Sequence, residues 1–350
     1  MFILKKIFLH IKYRIKNFLK QEQYKRTDQY KNLKNSKNAV VLLDTPRHGN
    51  LGDQAISLAE IAFVQNVASQ KKLYEFSYSD CSWCLAAVKT AMHKDCLILV
   101  HGGGFIGSLW KNEHENVMRI LHKFKKRKVI IFPQTIYFRE EDKKLKCEFV
   151  EVLNHSPNLT LCVRERNSYN FLAENKVQCK YLFVPDIVLS LKPTENPERN
   201  GKVLLCFRSD LEKTSDVNGI VELLRKNNIE FDFTDTDVSC SIQASDREKA
   251  VNQKLEEFSR YSLVICDRLH AMIFSAITKT PCIAFDNISK KVSGVYEWIK
   301  DVEYIKCIQP SDFDMQLVMT MISTEHVFDH DSFMKNFDPL KEILNDENYQ

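Results

Sequence analysis

No apolar run in the 350 residues approaches the roughly 20 that a membrane-spanning helix requires, so an integral membrane protein is not expected. The N-terminus offers no unbroken apolar stretch with a small-residue cleavage site, which excludes a secretory signal. No second C-x-x-C accompanies the one at Cys81 and Cys84, and no other cluster resembles a metal site, so neither metal nor cofactor is expected. The glycine run at Gly102–Gly104 lacks the Gly-Lys-Ser/Thr ending of a Walker loop and departs from G-x-G-x-x-G, leaving NAD without support. What remains is 44% hydrophobic and 27% charged, a globular balance, and long enough for two domains of ordinary size. Most of the eleven Cys residues lie in apolar strand-like runs (Cys96, Cys162, Cys206, Cys266, Cys282), where Cys acts as a small buried hydrophobe. A reducing, cytoplasmic setting is the simplest reading.

The formal charge of +4 is unevenly spread. Residues 1–38 carry eleven Lys and Arg against Glu22 and Asp28, a net +9 that leaves −5 for the rest of the chain. A mildly acidic body argues against nucleic acid as a partner. Within the leader, Leu4, Ile7, Phe8, Ile11, Ile15, Phe18 and Leu19 recur at helical spacing, with Lys5, Lys12, Lys16 and Lys20 on the opposite side. An apolar stripe with a cationic back suits a helix lying in a lipid interface, so residues 1–20 are expected to dock on a membrane surface, on the inner face of the cell membrane. The plain alternative is a helix packed on the protein's own body or on a second subunit.

From residue 39 short apolar runs alternate with helix-length amphipathic segments, the pattern of parallel sheets covered on both faces. The runs are Ala39–Asp44, Leu73–Tyr78, Cys96–His101, Val129–Pro133, Leu159–Arg164 and Tyr181–Pro185, then Lys202–Phe207, Ile229–Phe233, Ser262–Asp267, Pro281–Asp286 and Glu303–Ile308. Between the two sets lies Lys192–Gly201, with two Pro and a Gly, the best linker. The expectation is an α/β chain: a basic amphipathic leader (1–38), a Rossmann-like domain (39–195), and a second Rossmann-like domain with terminal helices (196–350). Such halves face each other across a cleft, and ligands gather at the carboxyl ends of the strands.

Five strand ends carry chemistry. In Asp44-Thr-Pro-Arg-His-Gly-Asn-Leu-Gly-Asp53, Gly49 and Gly52 permit close approach of a ligand, Asn50 adds a backbone N–H, and Arg47 and His48 bring charge; Asp53 is placed to cap the next helix. The bland alternative is an ordinary tight turn. Gly102, Gly103 and Gly104 after His101 leave an open backbone where a phosphate, carboxylate or sugar could lie, or form a purely structural turn. Gln134, in Phe132-Pro-Gln-Thr, offers neutral hydrogen bonds, though a Pro turn explains it equally. Arg164, ending a buried strand, is costly unless Glu165 or a ligand phosphate satisfies it. Sharpest is Cys266-Asp-Arg-Leu-His270: Arg268 can hold a phosphate by two parallel N–H bonds, and His270 can exchange a proton near neutral pH. Asn287 and Lys291 follow at the next strand end, where the same cleft would lie.

Together the stretches GNLGDQAI, HGGGFIGSLW, FPQTIYF, VRERNS and DRLHAMIFSAITKTPCIAFDN, with Lys291 and Trp298 after them, resemble the polysaccharide pyruvyl transferase family in content and order. They span residues 44 to 298; one departure is Phe-Ile-Gly after the glycines, where many relatives have Asn, and it bears on acceptor choice. The resemblance implies a GT-B-like fold, phosphoenolpyruvate as donor, and a pyruvate ketal on a hexose of capsule or exopolysaccharide as product. The parts suit it. Arg164 and Arg268 would clamp the anion, aided by backbone N–H groups of Gly102–Gly104 or Gly49–Asn50; His270 would be the acid, and Asp53 or Asp267 the base. The leader makes a lipid-linked acceptor attractive. The rivals are a glycosyltransferase using a nucleotide-sugar on the same scaffold and a noncatalytic, membrane-docked assembly module. The costly polar set Arg164, Asp267, Arg268 and His270 argues against the module.

Overall fold

The computed structural model describes residues 2–193, 198–208, 217–324 and 327–345, with side chains at residue 8 and from residue 11 onward. The expected boundary between residues 195 and 196 lies outside the described residues. Each of the eleven apolar runs forms a strand: β1 (Ala39–Thr45), β2 (Lys72–Ser77), β3 (Leu97–Val100), β5 (Val129–Tyr137), β6 (Leu159–Val163) and β7 (Lys180–Phe183), then β8 (Val203–Cys206), β9 (Phe231–Thr234), β10 (Leu263–Cys266), β11 (Cys282–Phe285) and β12 (Ile305–Ile308). A twelfth, β4 (Gly103–Gly107), was expected as open loop. It pairs with the extension of β5 past Pro133, Gly103 opposite Gln134, in line with the end of β3.

The first sheet has order β2-β1-β3-β5-β6-β7 with β4 beside β5; the second has β12-β11-β10-β8-β9. All pairings are parallel. Chain order changes direction beside β1 in the first sheet and beside β8 in the second, the switch points at which such sheets open a crevice. The leader forms α1 (Phe2–Tyr24) and α2 (Asp28–Asn35). Around the first sheet lie α3 (Leu51–Val67), α4 (Tyr78–Ala91), α5 (Lys111–Phe124), α6 (Lys143–Asn154) and α7 (Arg166–Glu174). Around the second lie α8 (Val217–Lys226), α9 (Arg247–Ser259), α10 (Leu269–Ile277), α11 (Lys291–Tyr296) and α12 (Met315–Ile322), followed by α13 (His330–Phe333) and α14 (Asp338–Asn345).

Alternation along β1 sorts the core. Val41 and Leu43 join Ile98, Ile131, Val88 and Phe149 on one face of the sheet. Val40 and Leu42 point the other way, into a cluster that continues through Ala55, Ile56 and Phe63 of α3 to Val264, Met272 and Phe274 of the second half. The halves are therefore joined by a shared apolar core below the cleft. The chain end reinforces this joint. Phe337 packs on Phe63 with ring centroids 5.6 Å apart, and Lys128 Nζ donates to the carbonyl of Ile343 at 3.1 Å, so α14 returns to the first half. Sequence alone left that packing undecided.

The leader is not all surface. Tyr24, Tyr30 and Leu33 are buried with Phe76 and the Cys81–Cys84 segment of α4, so packing into the first half begins well before residue 39. Upstream of Tyr24 the apolar stripe is bare among the described side chains; those of Leu4, Lys5 and Ile7 lie outside them. Phe8, Ile11, Ile15, Phe18 and Leu19 are each 48–61% exposed.

Candidate active site

The carboxyl ends of the two sheets meet at a cavity of about 340 Å³, within the range of small-ligand sites. The first half contributes His48, Asn50, Asp53, Gly104 and Arg164 to its walls, and the second contributes Arg268, His270 and Lys291. Phe105, Trp110, Glu113, Arg208 and Asp237, which carried no assigned role, line it too.

Arg164 ends β6 with only 1% of its surface exposed. Its Nε donates to Thr135 Oγ1 at 3.0 Å and its Nη1 to Asp186 Oδ2 at 2.5 Å. The partner is thus Asp186, not Glu165. Glu165 turns away to cap α7, accepting the Ser168 N–H at 3.1 Å, and burial raises its carboxyl above the ordinary value. The Nη2 edge of Arg164 makes no hydrogen bond to the described residues and lies at the cavity beside Gly104. A Cβ on Gly104 would come within 2.9 Å of Nη2 and 3.7 Å of Lys291 Nζ, so this glycine leaves room between two cations. Trp298, past α11, donates its indole N–H to the Arg164 carbonyl at 2.8 Å and thereby joins the second half to this corner.

Asp186 is itself buried after β7. Its Oδ1 accepts the Val188 N–H at 2.9 Å, and its Oδ2 faces His270 Nε2 at 3.7 Å. Burial pushes this carboxyl upward, but the Arg164 guanidinium, followed by His270, outweighs it and holds the group below the usual carboxylate range.

On the second half, Arg268 precedes α10 and meets Asp235 at two points, Nε–Oδ1 at 2.6 Å and Nη2–Oδ2 at 2.9 Å. His270 sits in the first turn of α10, whose N-terminus opens toward the cavity, a placement that favours an anion. The imidazole lies against Gly52 so closely that a Cβ there would come 2.1 Å from Nδ1.

The loop from Arg47 to Asp53 is clasped by the second half. The Leu51 N–H donates to Thr236 O at 2.6 Å, Val238 N–H to Gly49 O at 3.0 Å, and Ile242 N–H to Arg47 O at 3.0 Å. Gly49 is needed for this clasp, since a Cβ would fall 1.8 Å from Val238 O. Arg247 of α9 adds a buried tie across the halves, donating to Gln54 Oε1 at 2.9 Å and Glu75 Oε1 at 2.6 Å.

Several expected residues are engaged by the fold itself, on the cavity wall, behind it or away from it. Asn50, not Asp53, caps α3, its Oδ1 accepting from Gly52 N–H at 2.9 Å; Asp53 lies on the first helical turn, 3.7 Å from His48 Nε2. Asp267, expected as a base, is fully buried and accepts the Arg208 N–H at 2.8 Å, so it braces the ends of β8 and β10 instead. Gly102 donates its N–H to Glu60 Oε1 at 2.7 Å, and Gly103 belongs to β4 with φ +144°. Beneath them Glu60 Oε2 pairs with His101 Nδ1 at 2.9 Å; burial opposes the imidazolium, yet Glu60 raises it above its ordinary value. Gln134 donates to His101 O at 2.8 Å, Asn287 accepts from Ser289 in the turn before Lys291, and Arg47 binds Gln243 and Asp80 at the surface. Asp186 and Arg208 escaped notice in the sequence, although each directly follows an apolar run, Tyr181–Pro185 and Lys202–Phe207.

A family model described as polysaccharide pyruvyl transferase matches residues 50–289. General stress protein 30 of Bacillus subtilis is 32% identical over 81% of this chain and 84% of its own. Pyruvyl transferase 1 of Schizosaccharomyces pombe is 28% identical over 71% of this chain and 66% of its own. Among solved structures, an uncharacterized protein of Klebsiella pneumoniae is similar in fold, with TM-score 0.53 and 18% identity over 78% of this chain and 92% of that one.

Proposed function

Since the chain belongs to the polysaccharide pyruvyl transferase family, we propose that its cleft moves the pyruvyl group of phosphoenolpyruvate onto a hexose of a capsular or exopolysaccharide repeat unit or its precursor. One observation carries this reading: guanidinium groups from both sheets and the His270 imidazole line a single small cavity. Phosphoenolpyruvate bears a phosphate and a carboxylate on three carbons, and Arg164, Arg268 and Lys291 are cations on the walls of that cavity suited to bind them.

In this reading His270 delivers a proton to the methylene carbon, which leaves the adjacent carbon electrophilic. A sugar hydroxyl adds there, and its proton passes to a base. The C–O bond to phosphate then breaks, and a second hydroxyl of the same sugar closes the ketal, its proton leaving on the departing phosphate. Asp53, on the cavity wall, suits the base better than the buried Asp267. Phe105 and Trp110 offer flat apolar surfaces of the kind that carry sugar rings, and Glu113 can accept hydroxyl hydrogens.

Among the described residues no helix is long and apolar enough to cross a membrane. The bare stripe of α1, with Lys12, Lys16 and Lys20 beside it, instead supports peripheral docking on an anionic leaflet, where a lipid-linked acceptor would lie.

The test is incubation with phosphoenolpyruvate and a panel of galactose-, glucose- and mannose-containing acceptors, reading phosphate release and mass gain on the sugar. His270→Ala should keep the fold and lose about 10²–10⁴-fold in turnover. Binding of a nucleoside diphosphate with no consumption of phosphoenolpyruvate would replace this reading with a sugar-nucleotide transferase.

A further inference from the structure

We propose that Asp186 is the positioning residue of this site, one buried carboxylate on which both the first half's Arg164 and the second half's His270 are set. The inference rests on the reading of His270 as the acid and deepens it. Asp186 is held from below: its Oδ1 accepts the Val188 N–H at 2.9 Å, so the carboxylate has a fixed direction. Its other oxygen takes Arg164 Nη1 at 2.5 Å and stands 3.7 Å from His270 Nε2. With 1% of its surface exposed, it works in a setting where charge is weakly screened.

His270 needs such a guide. Its Nε2 has no hydrogen-bond partner among the described residues, and the Asp186 carboxylate faces it at 3.7 Å. Gly52 closes the opposite edge, and Phe274 lies one turn on with its ring centroid 6.3 Å away. The ring is thus walled on two sides and steered on a third. A carboxylate fixed on that side of the ring can hold the imidazole in one orientation toward the cavity. The same oxygen pins Nη1 of Arg164, turning Nη2 toward the cavity. Two chemically different tasks, proton delivery and anion binding, therefore share one support, and that support spans the junction between the halves.

The experiment is a double-mutant cycle with Asp186→Asn, a nearly isosteric change, in the wild-type and His270→Gln backgrounds. Phosphate release yields kcat and the KM for phosphoenolpyruvate, and a melting curve checks the fold. In the wild-type background Asp186→Asn should lower kcat at least about tenfold; in the His270→Gln background the loss should shrink below about twofold. The KM should rise in both, through Arg164. Equal losses of kcat in the two backgrounds, or none in the wild type, overturn the assignment while leaving His270 in its role. Full turnover by His270→Gln alone overturns both. Should Asp186→Asn fail to fold, Asp186→Glu, which keeps the charge but displaces it, goes through the same cycle under the same criteria.

Discussion

Two corners of one cavity solve the same problem differently. Each sheet brings an arginine to the end of a strand, Arg164 after β6 and Arg268 after β10, and each arginine has an aspartate partner. Arg164 and Asp186 are both about 1% exposed, and the guanidinium is divided among Thr135, Asp186 and the cavity. Arg268 meets Asp235 at two points, but the Asp235 side chain is 34% exposed. The first corner is dry and over-determined, the second wetter and adjustable. Burial decides what a pair is for: a dry pair cannot be broken without stranding a charge, whereas a wet pair can release its cation to a ligand with water making up the loss.

The largest expected effect falls on the dry corner. Asp186→Ala leaves the Arg164 guanidinium buried without its carboxylate and should cost about 3–5 kcal/mol in urea unfolding, the range for breaking a buried pair. A loss below about 1 kcal/mol would mean that water reaches Arg164 after all.

Acid sharpens the comparison next. The Asp186 carboxyl is held below its ordinary value, so the folded state binds this proton less readily than the unfolded chain. Its contribution is complete above about pH 4 and is lost as pH falls through the depressed value. Melting temperature should therefore decline on acidification below about pH 4, and the decline should be shallower for Asp186→Asn.

The smallest effect belongs to the wet corner. Asp235→Ala should cost on the order of 1 kcal/mol of stability in the same urea assay. A penalty matching that of Asp186→Ala would erase the distinction between the corners.

Legibility followed the same division. The eleven parallel strands were readable because strands buried on both faces must be apolar throughout, and α helices between them keep a helical stripe. β4 was not, because Gly103, Gly104 and Gly107 carry no side-chain pattern and the segment is held by its register on β5. The cations were visible as isolated charges closing apolar runs. Their partners were not: Asp186 is 22 residues from Arg164, and Asp235 is 33 from Arg268. The glycines of the first loop misled for a related reason. Gly49 looked open to a ligand, yet the space its missing Cβ leaves is filled by the backbone of the second half.

By itself, the sequence of this protein determined the class of fold, the strand ends that bear chemistry, and the amphipathic stripe of α1, since each is a local pattern of side chains along a regular backbone. Only the tertiary structure decided which carboxylate serves which arginine, that Asp267 lies behind the wall while Asp53 stands on it, and that α14 returns to the first half. Those outcomes depend on contacts between residues far apart in the chain, whose closeness comes from how two sheets share one apolar core.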